Sequence, residues 1–194
     1  LLNQFGGQHD QLALKIALPL GISFFTFQVA GYLIDIFNGT IEVCRRPLHF
    51  FTYVFHFPKL LSGPVERAQQ FLPRIATLRT FDSNLVTDGA RQVLWGYFSK
   101  SVIADNLAIL VDDVYADIPG SSGSTLFFAA MLYFIQLYAD FSGYSNMAIG
   151  FSKMLGLPLT INFQGPLFVT NISEFWRKWH ISLTSWMMDH VFTP

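Results

Sequence analysis

From Ile16 to Ile34 the chain runs for 19 residues without a charged side chain, and from Ile118 to Ala139 for 22. A helix needs about 20 apolar residues to cross a hydrocarbon core of about 30 Å, so these two stretches constrain the fold more than any other feature. A soluble surface would need more charge than this sequence carries: 13% of its 194 residues are charged and 52% are hydrophobic, against about 25% charged in ordinary globular domains. The sequence therefore predicts an all-α polytopic membrane protein. Spans are expected over 16–37, 92–111 and 118–140. In the first, Pro19, Gly21 and Gly31 would interrupt a soluble helix but are tolerated where neighbouring helices protect the freed backbone groups. The second carries Lys100 and Asp105, whose i, i+5 spacing puts them off one α-helical face and predicts separate partners. The third contains "TLFFAAMLYFIQLYA" from Thr125, with no helix breaker.

Two other stretches are apolar but broken. Residues 47–64 are interrupted by Pro47, Pro58, Gly63 and Pro64, are too short to cross, and read as a re-entrant or interfacial segment. Residues 156–168, "GLPLTINFQGPLF", are broken by Gly156, Pro158, Gly165 and Pro166. Irregular backbone at membrane depth survives only inside protein or beside water, so both stretches imply an enclosed cavity. Residues 1–194 read as a single partial membrane domain. The chain starts at Leu1 with no methionine and no signal-peptide pattern, and is expected to be a piece of something longer.

Charge and cysteine content exclude several functions. A net charge of -1 argues against a nucleic-acid partner. Cys44 is the only cysteine, so neither an internal disulfide nor a cysteine-based metal site can form. His49 and His56 lie too far apart, at i, i+7, to share a metal within one helix, and read as interfacial; no metal or bound cofactor is expected. Arg45, Arg46, Arg67, Arg74 and Arg79 cluster along one part of the chain, whereas no cation occurs between Lys100 and Lys153. That asymmetry predicts a multi-pass protein whose "PGSSGS" turn, 119–124, faces away from the cytoplasm.

The stretch "EFWRKWHISLTSWMMDH", 174–190, gathers cations, a histidine and tryptophans. Read as one amphipathic helix over 172–190, it is capped by Asn171 and supported by a Glu174–Lys178 pair. At 100° per residue, Trp176, Trp179, Leu183, Trp186 and Met187 share one face, Lys178, Ser182, Ser185 and Asp189 the other, and His180 lies at the boundary near Arg177 and Thr184. The residues alone leave two readings open: an interfacial helix with His180 as a polar rim, or a proton-transfer site built on an ionisable ring. Asp140 breaks a long charge-free region and reads either as a helix-end carboxylate in a structural pair or as a substrate contact. Tyr144, Ser145 and Asn146 read as turn and packing residues, and His9 and His190 have no supporting context.

Five blocks, "LPLGISFFTFQVAGYLIDIFNG" (18–39), "FPKLLSGPVERAQQFLPRI" (57–75), "SVIADNLAILVDDVY" (101–115), "QLYADFSGYSNMAIGFSKMLG" (136–156) and "NFQGPLFVTNISEFWRKWHISLTSWMMDH" (162–190), resemble in this order the membrane-bound O-acyltransferase family. They are most similar to its bacterial branch of alginate O-acetylation and teichoic-acid D-alanyl transfer. The resemblance implies a ring of transmembrane helices with re-entrant segments around a funnel, of which this chain is a partial unit, in the bacterial cytoplasmic membrane. It also implies transfer of an acyl group, often acetyl, from a thioester donor such as an acyl-CoA or acyl carrier. The acceptor would be a hydroxyl of an extracytoplasmic polysaccharide or envelope polymer, reached directly or through a partner acyltransferase. The family's FWRRWHxSLSxW pattern falls on Phe175 to Trp186, so His180 inherits the first site histidine. Trp176, Arg177 and Trp179 from the same motif, with Asp140 and Asn171 from neighbouring positions, become site-supporting candidates. Where the family has Leu-Arg-Asp-Tyr next, this chain has Met187, Met188, Asp189 and His190, and loses the arginine. The family's second histidine belongs C-terminal to the block, beyond Pro194, so this piece is expected not to catalyse alone. No G-x-S-x-G elbow is present, and Cys44 sits near a span end, so no covalent enzyme intermediate is required. A transporter or channel component, or a non-catalytic scaffold of a polysaccharide-secretion complex, is the alternative.

Overall fold

The computed structural model describes residues 21–77 and 80–193, and among these every regular element is helical. Helices α1 (Ile22–Phe37) and α2 (Pro47–Phe55) are followed by a 3₁₀ turn at Phe57–Lys59 and by α3 (Ala68–Ala76). Helix α4 (Ser83–Phe98) then runs through a π-helical stretch, Ser99–Ala104, directly into α5 (Asp105–Ala116). The long α6 (Gly123–Met154) precedes α7 (Ile172–Lys178), α8 (Ile181–Met187) and a π-helical end at Met188–Phe192. His9, Arg79 and the first residues of the 16–37 stretch lie outside the described residues.

Helix α6 has 32 residues, and is the one helix among the described residues that is long and apolar enough to cross a membrane. At 1.5 Å per residue it is about 48 Å long. It differs from the expected 118–140 span at both ends. It starts at Gly123 because the Ser122 hydroxyl accepts the Thr125 N–H at 3.2 Å, and it stops before Gly156, whose φ of 72° only glycine adopts readily. Asp140, Tyr144, Ser145 and Asn146 therefore lie inside a helix rather than at its end or in a turn. Helix α1 is apolar but only 16 residues long within the described range.

Helices α4 and α6 pack through reciprocal glycines. A Cβ on Gly96 would stand 2.5 Å from the Gly143 carbonyl oxygen and one on Gly143 2.8 Å from that of Gly96; Gly89 and Gly150 repeat the arrangement at 2.6 Å in both directions, seven residues away on each helix. Between the two pairs, Gln92 donates to the Asn146 amide oxygen at 3.1 Å. Small residues that let backbones touch, with a polar bond between them, are how helices associate where no hydrophobic drive separates one apolar surface from another.

The π-helical stretch revises one expectation from the sequence. Lys100 and Asp105 were expected to face apart, yet the Lys100 ammonium lies 2.6 Å from Asp105 and 2.7 Å from Asp140. An i→i+5 turn aligns residues five apart, which a regular α-helix does not.

A second packing centre joins α1, α2 and α3 to Ile149 and Leu159 around Tyr32, Tyr53 and Phe71. The proline-broken 47–64 segment supplies it with Lys59, which is fully buried, donates to the Gln28 amide oxygen, and lies 4.5 Å from the Tyr53 ring centroid and 4.7 Å from that of Phe71. Burial holds this amine below its ordinary proton affinity while Glu66 opposes the shift. His56 is buried in the protein, with Nε2 2.7 Å from the Ser152 hydroxyl. That hydroxyl donates to the Leu157 carbonyl, so the imidazole N–H is the donor to Ser152. The bond ties the broken segment to the end of α6. Outward faces of α4, α5 and α6 carry Leu94, Trp95, Ile109, Phe127 and Phe128, all exposed.

Candidate active site

The motif is not one helix. Trp179 takes an extended backbone and His180 a left-handed one, φ 43° and ψ 52°, so that α7 ends at Lys178 and α8 begins at Ile181. Among the described residues His180 is the only non-glycine with positive φ. A left-handed conformation costs an L-residue about 1–2 kcal/mol, and such strain persists only where the surroundings over-determine it.

The break dissolves the predicted tryptophan face. Trp176 is exposed, Trp179 packs on Phe134 and Phe175, and Trp186 is buried against Phe27 and His190. Asn171 does cap α7, its side-chain oxygen accepting the Glu174 N–H at 2.8 Å, and Glu174 pairs with Lys178 at 2.8 Å. The first of these bonds places Asn171 in helix initiation. Arg177 points to the exposed side. Asp140 is engaged with Lys100, and it is the next residue, Phe141, that meets His180, edge-on at 4.7 Å between ring centroids.

The His180 turn is held from a distance by the 156–168 stretch. Asn162, fully buried, accepts the Ile181 N–H on its backbone oxygen at 2.9 Å and the Ser182 hydroxyl on its side-chain oxygen at 2.7 Å. Ser182 in turn accepts the Val65 N–H at 2.9 Å, and Gln164 N–H donates to the Lys178 carbonyl at 3.1 Å. Neither Asn162 nor Ser182 stood out as a candidate in the sequence, although Asn162 is a polar residue inside an otherwise apolar run. His180 is 9% exposed, and its ring Nδ1 is buried with no hydrogen-bond partner among the described residues. Burial drives its proton affinity down to about 4, so the imidazole is neutral across the physiological range.

His190, which had no context in the sequence, gains it from α1. Its Nδ1 lies 3.0 Å from the Trp186 carbonyl and its Nε2 3.0 Å from Asp35 Oδ1, and the ring stacks on Trp186. A carbonyl can only accept, so Nδ1 is the donor to Trp186. Beside it Asp189 pairs with Arg67 at 2.6 Å. Asp189 and His190 thus lock the C-terminal helices to the segment before α3 and to α1. Among the described residues no group of three His, Cys, Asp or Glu side chains comes together that could hold a metal ion.

Comparison with known proteins bears on what this arrangement serves. The model of "MBOAT, membrane-bound O-acyltransferase family" matches residues 46–194. A probable alginate O-acetylase of Pseudomonas syringae pv. tomato is 40% identical over 181 residues, 91% of this chain and 34% of that protein. A peptidoglycan O-acetyltransferase of Helicobacter pylori is 32% identical, covering 93% of this chain and 39% of its own length. A teichoic acid D-alanyltransferase of Streptococcus thermophilus is 29% identical, covering 89% and 43%. The chain spans about a third of the length of the first of these relatives. With the matched region taking in α2 to α8 and the whole His180 turn, the chain belongs to the membrane-bound O-acyltransferase family.

Proposed function

We propose that this chain is part of an enzyme that transfers an acyl group, acetyl first, from a thioester donor to a hydroxyl of an extracytoplasmic polysaccharide or envelope polymer. The observation that carries the reading is the His180 turn: the motif histidine is held left-handed, against a local cost, by buried partners from other segments. In the reaction the acceptor oxygen bonds to the acyl carbon, the carbon–sulfur bond breaks, the thiolate leaves and the hydroxyl proton goes to a base. General-base assistance is typically worth about 10²- to 10⁴-fold, and is best from a group that titrates near the working pH. A ring that protonates only at about 4 is a weak base but a competent N–H donor. His180 therefore polarises the acyl carbonyl or orients the reacting partner, and the base is the second family histidine, which the resemblance places C-terminal to this motif. The donor is an acyl-CoA or acyl carrier, and the acceptor is met directly or through a partner acyltransferase.

The test is chemical. In a strain lacking the gene, the full-length protein should restore mild-alkali-releasable acetate on the envelope polymer. Release of D-alanine in place of acetate would move the acyl group to the aminoacyl branch, and release of neither would overturn the reading.

The same proposal sets the chain in a bacterial inner membrane as part of a multi-pass ring with the 47–64 segment re-entering it. The side that carries Arg45 and Arg46 then faces the cytoplasm and the turn before α6 faces out. A cysteine introduced at Ser122, exposed at the cap of α6, should react with an impermeant maleimide in intact cells. Reaction only after permeabilisation would reverse the orientation.

A further inference from the structure

A helix start leaves its first N–H groups without partners inside the helix, and the residue that precedes it normally supplies a side-chain acceptor. His180 occupies that position for α8 and makes no such bond. The work is done from elsewhere. Asn162 accepts the Ile181 N–H on its backbone oxygen at 2.9 Å and, on Oδ1, the Ser182 N–H at 3.3 Å and the Ser182 hydroxyl at 2.7 Å. Its own amide N–H donates to the Ser145 hydroxyl on α6 at 3.3 Å. Asn162, Ser182 and Ser145 are 0%, 3% and 1% exposed, so these bonds are made without competition from water.

We infer that Asn162 is a positioning residue for His180, capping α8 in its place so that the imidazole at the head of the helix is left for chemistry. This rests on the acyl-transfer reading above and adds a residue outside the motif that sets the ring. A histidine that capped its own helix would have its imidazole committed to backbone N–H groups. A helix left uncapped would lose the bonds that offset the left-handed turn. The loop carrying Asn162 resolves that conflict because it brings acceptors to the start of α8 while anchored to α6 through Ser145. On a purely structural reading Asn162 would simply hold the loop to the bundle, and its loss would harm activity whether or not His180 is present.

The test is a double-mutant cycle in the full-length protein, read as alkali-releasable acetate on the polymer per amount of protein in the membrane. Asn162→Ala should lower the rate by at least about tenfold. In a His180→Ala background, Asn162→Ala should change the residual rate by less than about twofold, since its effect runs through the ring that is already gone. An unchanged rate for Asn162→Ala, or the same fold-loss in both backgrounds, overturns the inference while leaving the acyl-transfer reading intact. If His180→Ala itself keeps the full rate, the site reading falls, and the positioning role with it. Should Asn162→Ala fail to accumulate, Ser182→Ala removes the hydroxyl that links Asn162 to Val65, and the same cycle with His180→Ala decides by the same criterion.

Discussion

Replacing His180 with alanine in the full-length protein is expected to lower acyl transfer by at least about tenfold, or about 1.4 kcal/mol of transition-state stabilisation, with little change in the amount of folded protein. Removing the ring takes away packing on Phe141, while alanine keeps the Cβ that makes the left-handed turn costly, so the strain of the turn stays. His180→Gln separates the roles further. The amide can donate a hydrogen bond but cannot exchange a proton near neutrality. A neutral, donating ring predicts that Gln retains a sizeable part of the rate that Ala loses. Equal loss in both variants would instead make proton exchange by His180 essential. Burial also has a pH signature. A ring titrating at about 4 in the folded protein, rather than at the ordinary 6.5, contributes no change in rate between pH 5 and 8. An acid limb near 6.5 that vanishes in His180→Gln would contradict the neutral-donor role.

The second large effect is expected at the glycine seam. Gly143→Val in full-length protein should sharply reduce the amount that accumulates folded in the membrane, because the new side chain would meet the Gly96 carbonyl at 2.8 Å and the Lys100 backbone nitrogen at 3.0 Å. Those neighbours are backbone, which cannot rotate away, so the two helices must separate. Overpacking a core costs about 1–3 kcal/mol even when side chains can yield. Opening this seam would also strain the Gln92–Asn146 bond and the meeting of Lys100 with Asp140. Gly89→Val, at the other end, should behave alike, since its Cβ would stand 2.6 Å from the Gly150 oxygen. Gly123→Ala is the control: nothing lies within 4 Å of its Cβ, and an alanine in the first turn of α6 should be neutral or slightly stabilising. Thermal unfolding in detergent measures all three. A melting temperature for Gly143→Val within a degree or two of the parent would show that the seam does not hold α4 to α6.

Some of this protein could be read from residue order alone. Uncharged runs and scarce charge determine an all-helical, membrane-type chain, because a bilayer leaves the backbone no other way to satisfy its hydrogen bonds apart from a closed barrel. The ordered blocks, and above all Phe175 to Trp186, determine the family and single out His180. Asn171 as the cap and Glu174 with Lys178 were legible too, because those interactions span three and four residues and need no partner from elsewhere. What the wheel drawn at 100° per residue could not show was where regular geometry stops. A single left-handed residue at His180 splits the motif and sends Trp176, Trp179 and Trp186 to three environments. A π-helical stretch turns Lys100 toward Asp105 and Asp140. The left-handed turn is held by contacts distant in sequence, and the pairing of His190 with Asp35, the burial of His56 on Ser152 and the capping of α8 by Asn162 are made of such contacts. Local periodicity encodes which face of a helix is apolar. Only the packed structure decides which distant groups come close enough to repay a strained turn or a buried charge, because those energies exist only between segments brought together by the fold.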